Sequence, residues 1–358
     1  MVLTDTSISI INGERGWFIN PSYAQRRRDS INDHIEHQKL KSVLYRTFTR
    51  TEPDNGYFFT GQDIDPNPGQ KRGSWDVVFV SNNSEDSSPP IFVEVKSRFN
   101  SASELIAELE SKISQTMSIL TESPRDLYSQ ILEHFDNELP PQFLHPEFVI
   151  FTQGTFADSL LSYIGSGGEV NHKINLIVWS YGFVNSHMNV ISIPYADRTG
   201  IKTCKNTNEQ TCNICLCNHE DKTLMSFLRD LNNQLLEGPR IIPSARKYVD
   251  PAVNILSVLS YGEVFTKEDK HFTIQDLRDK IGSFLLKFSI RSLEAEVTDL
   301  INDMIITRII LPSKGFPIEA YHLNSAIKNI ISNEEALITD VAKRAIKYLK
   351  GTTTLDQF

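Results

Sequence analysis

The sequence predicts a mixed α/β protein with a second, mainly helical part. Three observations carry that expectation. Short apolar segments of strand character at 57–60, 75–80 and 91–99 lie between two stretches of helical periodicity. Two further apolar runs, 147–156 and 174–183, follow the second helix, so the pattern is helix, three strands, helix, strands. Beyond residue 251 the pattern changes to short helices with only brief extended pieces.

Each element has its own signal. Residues 29–50 place Ile31, Ile35, Val43, Leu44 and Phe48 at roughly helical spacing. The runs "WDVVFV" and "IFVEVKSRF" read as strands, separated by "SNNSEDSSPP", a polar turn that ends in proline. "SASELIAELESKISQTMSIL" opens with a serine start signal, with Glu104 three residues after Ser101. "GSGGEV" at 165–170 lacks the lysine of a phosphate-binding loop and reads as a plain loop. Residues 201–220 read as a connector and 222–237 as helical. The last part runs helix ("AVNILSVLSYG"), short strand ("HFT"), helix ("IQDLRDKIG"), helix ("SIRSLEAEVTDLINDMI") and two strands ("TRIILPSKGFPIEAYHL"). That order matches a winged helix-turn-helix unit, followed by a final helix near 325–349. The expected organisation is a mixed α/β domain over 1–200, a cysteine-rich connector over 201–240 and a winged-helix-like domain over 241–358.

Composition sets bounds. The 358 residues suffice for more than one domain, and 40% apolar with 23% charged residues is ordinary for a globular chain. The net charge of -9 and a pI near 5.5 argue against a broadly basic coat, though not against a local basic groove. "MVLTDTSISIINGERGWF" has neither a basic n-region nor a long apolar core, so no secretory signal is expected. No run of about 18 apolar residues occurs, so no membrane span is expected. A cytoplasmic location follows as the expectation. All four cysteines fall between 204 and 217, which suits a metal site in a reducing compartment better than a disulfide framework.

The chemistry-bearing feature is charge inside apolar strands. Asp76 opens "WDVVFV", and Glu94 and Lys96 sit inside "IFVEVKSRF". Strand side chains alternate, so Glu94 and Lys96 share a face, and pairing of the two strands can set Asp76 beside Glu94. Two adjacent carboxylates repel unless a cation sits between them. Mg²⁺ takes a few carboxylates with waters and phosphate oxygens. It lowers the pKa of a bound water and stabilises charge on a phosphate under attack. A neighbouring lysine orients the water or stabilises the developing charge.

Asp76, the seventeen residues that follow, and then Glu94-Val95-Lys96 resemble the active-site motif of the PD-(D/E)xK nuclease superfamily. The superfamily includes most type II restriction endonucleases. The resemblance covers about residues 29–190 and implies a restriction-endonuclease-like mixed sheet flanked by helices. It implies Asp76 and Glu94 as Mg²⁺ ligands and Lys96 as the catalytic lysine. Many members add a carboxylate from the first helix, for which Glu36 is the candidate, with Glu52 and Glu104 competing. Two departures stand out: Trp75 replaces the proline before the first acid, and Ser97 follows the lysine with no further motif residue. Gln115 in the next helix is similar to a glutamine of some exonuclease branches.

The cysteines form a second constellation. Cys212 and Cys215 make a C-x-x-C knuckle that presents two thiolates to tetrahedral Zn²⁺. Cys204 is the third expected ligand, and Cys217 or His219 the fourth. An iron–sulfur cluster is the alternative. In the winged-helix-like part, Arg291 and Ser292 would meet DNA, with Lys314 in the wing. Glu294, Glu296 and Asp299 make the same helix acidic, which leaves a protein-contact role open. Arg26, Arg27 and Arg28 read either as phosphate contacts or as a solvated charge run.

These readings imply a Mg²⁺-dependent DNA endonuclease acting on double-stranded DNA as a homodimer, of the restriction or phage-defence kind. A transposition endonuclease subunit and a repair nuclease are the alternatives. A non-catalytic DNA-binding regulator is the rival of another class.

Overall fold

The structure is a computed structural model. It describes residues 7–11, 14–18, 21–49, 57–64, 74–81, 90–122, 146–165, 176–184, 187–197, 200–204, 233–234, 236–244, 249–266, 271–288, 290, 294–315 and 319–348. The chain is mixed α/β and divides into two units: residues 39–239, and residues 1–38 together with 240–358.

The first of these, 39–239, is built on one seven-stranded mixed sheet. Its strands in chain and sheet order are β3 (Tyr57–Ile64), β4 (Trp75–Ser81), β5 (Ile91–Lys96), β6 (Glu147–Gln153), β7 (Leu176–Val184), β8 (His187–Asp197) and β9 (Gly200–Cys204). β3, β4 and β5 run antiparallel in turn; β5, β6 and β7 are parallel; β8 and β9 return antiparallel. Parallel neighbours need a crossover. Between β5 and β6 it contains α2 (Ala102–Glu122), and between β6 and β7 it contains α3 (Gly154–Gly165).

These helices cover one face of the sheet. Leu105, Ile106, Leu109 and Ile113 recur at three- and four-residue spacing along α2, so they form one apolar stripe. That stripe and Ala157 and Leu160 of α3 pack on Trp75, Val78, Phe92, Phe148, Ile150 and Val178. Trp75 lies edge-on to Phe92 at 5.7 Å and stacked on Phe148 at 5.2 Å. Each such buried side chain contributes about 1.5–3 kcal/mol. Ser101 starts α2 as expected: its hydroxyl accepts from the Glu104 N–H at 3.4 Å and its carbonyl from the Leu105 N–H at 3.1 Å.

The other unit begins with a hairpin, β1 (Ser7–Ile11) and β2 (Glu14–Phe18), and the first part of α1 (Pro21–Thr49). Its C-terminal part runs α4 (Pro251–Ser260), β10 (Phe272–Thr273), α5 (Ile274–Lys287), α6 (Glu294–Ile306), β11 (Ile310–Pro312) and β12 (Ala320–Leu323). The three strands form a small antiparallel sheet in the order β10-β12-β11. Helices α7 (Ser325–Ile330) and α8 (Glu334–Tyr348) close the chain.

One ion pair joins the first 38 residues to the C-terminal part of this unit. Arg27 Nε donates to Asp250 Oδ2 at 2.9 Å, and both side chains are buried. The other oxygen of Asp250 accepts from the Ala252 N–H at 2.9 Å and caps α4. One carboxylate thus starts a helix and neutralises a guanidinium 223 positions away.

Several elements differ from the sequence reading. The chain divides after residue 38, inside α1, and after residue 239, next to the boundary expected at 240, rather than at 200. The triple arginine lies inside α1, not ahead of it, and Arg27 is neither a phosphate contact nor solvated. The helix expected over 325–349 is two helices: Asn333 Oδ1 accepts from the Ala336 N–H at 3.1 Å and starts a new one. Residues 154–156, expected in a strand, open α3 instead. β8, which contains Pro194, lies where the sequence reading placed no strand. Residues 201–204, expected in the connector, are strand β9.

Replacing Arg27 by leucine leaves the Asp250 carboxylate buried without its partner, at a cost of about 3–5 kcal/mol. Arg27→Leu combined with Asp250→Asn should recover part of that loss, since Asn still caps α4. Urea unfolding of wild type, single and double variants measures both effects; equal loss in the single and double variants would contradict them.

Candidate active site

The register between β4 and β5 pairs Val77 with Val93 and Val78 with Phe92. Continued by one position, it sets Asp76 opposite Glu94, on the sheet face that α2 covers. Both acids are buried, Asp76 at 0% and Glu94 at 3% exposure. Each is held by specific partners. Asp76 Oδ2 accepts from the Val95 N–H at 2.8 Å, so its carboxylate is tied to the backbone of β5. Glu94 Oε1 meets Lys96 Nζ at 3.0 Å. The other Glu94 oxygen, Oε2, accepts from Lys112 Nζ of α2.

Lys96 reaches a third carboxylate, Glu108 of α2, at 3.5 Å. Burial alone pulls its ammonium pKa down, but Glu94, Glu108 and Asp76 outweigh burial and hold it above the ordinary lysine range. Lys96 is therefore a fixed positive charge at neutral pH. It can donate hydrogen bonds and stabilise negative charge, and in this state it cannot accept a proton.

Two buried polar atoms near this cluster have no hydrogen-bond partner among the described residues: Thr152 Oγ1 and Gln115 Oε1. Thr152 is the lateral neighbour of Lys96 in the parallel register of β5 and β6. Gln115 follows Lys112 by one turn of α2. Buried groups without partners are uncommon in native proteins and suit places where water or a ligand binds.

Two adjacent carboxylates offer hard oxygen donors, which fits Mg²⁺. Among the described residues no group of three His, Cys, Asp or Glu comes together, so a Mg²⁺ ion held here would keep waters in its other positions.

The structure thus brings Asp76, Glu94 and Lys96 together and adds Lys112 and Glu108, which the sequence reading missed. The signal for Lys112 was present. Leu105, Leu109, Ile113 and Thr116 mark the buried face of α2, and Lys112 falls on it. Glu36 is exposed on α1, in the unit that holds residues 1–38. Glu104 is exposed in the first turn of α2, and Glu52 lies outside the described residues. Cys204 ends strand β9, while Cys212, Cys215, Cys217 and His219 lie outside the described residues, as do Arg291 and Ser292. Lys314 is exposed in the turn between β11 and β12, where Gly315 takes a φ of 85°. Among the described residues no helix is long and apolar enough to cross a membrane.

No family model, no curated protein and no solved structure matches this chain.

Proposed function

We propose that the chain is a Mg²⁺-dependent DNA endonuclease of the PD-(D/E)xK type. The observation that carries the reading is the burial of Asp76 and Glu94 on adjacent strands with Lys96 held against them. The element order α1-β3-β4-β5-α2-β6 supports it, since it is the order that the sequence resemblance implies. The order α4-β10-α5-α6-β11-β12 supports a winged-helix reading of the C-terminal part.

Asp76 and Glu94 would be the side chains that hold the ion. Bound there, Mg²⁺ would supply a water of lowered pKa and positive charge for a phosphate oxygen. The Val95 N–H bond keeps Asp76 from turning away. Lys96, lastingly charged, donates to the phosphate oxygen on which negative charge develops. Glu108 gives its ammonium a resting partner. Double-stranded DNA is the proposed substrate, a homodimer the form that cuts both strands, and restriction or phage defence the proposed biology. Zn²⁺ at Cys204, Cys212, Cys215 and Cys217, with His219 as the alternative ligand, would fold the connector.

One observation favours a second reading for the C-terminal part. Helix α6 has Glu294 and Glu296 in its first turn, which disfavours a polyanion there. A protein partner on that part fits a nuclease subunit of a transposition system.

Supercoiled plasmid incubated with the pure protein should be cut with Mg²⁺ and left intact with EDTA. Lys96→Ala should reduce cleavage by about 10²-fold or more, as loss of one charge-stabilising donor does. Wild-type rates from Lys96→Ala would sink the assignment. Elemental analysis of the purified protein should find about one zinc per chain; finding neither zinc nor iron would remove the connector reading.

A further inference from the structure

Lys112 is the charge that the proposed mechanism leaves unused. It is 6% exposed, projects from the buried face of α2, and ends on Glu94 Oε2. Its ammonium also lies 4.6 Å from the ring centroid of Trp75, an attractive cation–π arrangement. Trp75 is fixed in turn, because its Nε1–H donates to Thr116 Oγ1 at 2.9 Å. Thr116 Oγ1 donates to the Lys112 carbonyl at 3.0 Å. Glu94 and Trp75 thus form a cradle for one cation, with Thr116 fixing the indole, and the chain fills it with its own.

The two lysines on Glu94 differ. Lys96 is about a quarter exposed and has Glu108 as a second carboxylate, so it has somewhere to go. Lys112 is enclosed between a carboxylate and an aromatic face. A divalent ion arriving at Glu94 would therefore meet Oε1, while Oε2 stays with Lys112.

We propose that Lys112 is a positioning residue that holds Glu94 Oε2 and neutralises part of the site's negative charge, so that the site binds a divalent cation weakly. The inference rests on the metal-dependent reading above and goes beyond it. Asp76, Glu94 and Glu108 carry three negative charges and Lys96 and Lys112 two positive ones, so a neutral residue at 112 leaves the site one unit more negative. The lysine also holds the Glu94 side chain from the side of α2. A neutral residue at 112 would remove a like charge from beside the incoming ion.

The test uses the full chain and Mn²⁺ as the probe, with free Mn²⁺ counted by electron paramagnetic resonance in the absence of DNA. Lys112→Gln and Lys112→Met should bind Mn²⁺ about tenfold tighter, or more, than wild type, since removing a neighbouring charge shifts such equilibria by one unit or more. Lys112→Gln retains a donor for Glu94 and covers the case in which the methionine variant does not fold. Lys112→Arg keeps the charge and should bind like wild type. Equal affinity in wild type and both neutral variants overturns the inference and leaves the metal site standing. Tightening in Lys112→Arg as large as in Lys112→Gln also overturns it, because charge would not be the cause. Binding by none of the proteins overturns both this inference and the metal reading.

Discussion

Glu94 is a carboxylate inside a seven-stranded sheet, with one oxygen on Lys96 and the other on Lys112. Taking such a group out of water costs far more than any surface charge and is tolerated only with close partners. The arrangement around it follows from that constraint. Lys96 stands two residues on along the same strand, and therefore on the same face. Lys112 comes from the helix that returns over that face, at a position otherwise suited to leucine. Trp75 and Thr116 are placed to hold Lys112. A sheet of this size does not need these charges for stability, because well-packed apolar residues of similar volume serve as well or better. Their presence in an apolar layer is therefore an argument about chemistry.

Topology turns these residues into a site. β4 and β5 are antiparallel, so the start of one lies beside the end of the other. That brings the second residue of β4 opposite the fourth of β5. β5 and β6 are parallel, so the chain must cross over before β6, and α2 lies in that crossover. A helix in that place sets Glu108, Lys112 and Gln115 on one stripe, four and three residues apart, above the same end of the sheet. The C-terminal unit rests on a separate device, the Asp250 carboxylate that caps α4 and pairs with Arg27.

The parts of the fold with strong local signals were legible in the sequence. β4, β5, α2, β6 and β7 all lie where apolar runs, Ser101 and the polar turns place them. Asp76, Glu94 and Lys96 stood out because charge inside a strand of valines and phenylalanines is conspicuous. Lys112 did not, because a lysine in an amphipathic helix looks ordinary until the buried stripe is traced residue by residue. Other misses had long-range causes. Nothing near residue 27 announces a partner at 250. The break in the last helix rests on a single asparagine side chain, and β8, with a proline inside it, is held by pairing with strands on both sides.

On the proposed reading, Asp76 and Glu94 hold a divalent cation. The most direct test is thermal unfolding of wild type and Asp76→Asn with millimolar Mg²⁺ and with EDTA. An ion that binds only the folded state stabilises it by about 1.4 kcal/mol at ten times its Kd, which is a shift of a few degrees. The account predicts that Mg²⁺ raises the wild-type midpoint and leaves that of Asp76→Asn unchanged. Equal shifts in both proteins, or no shift in either, would contradict it.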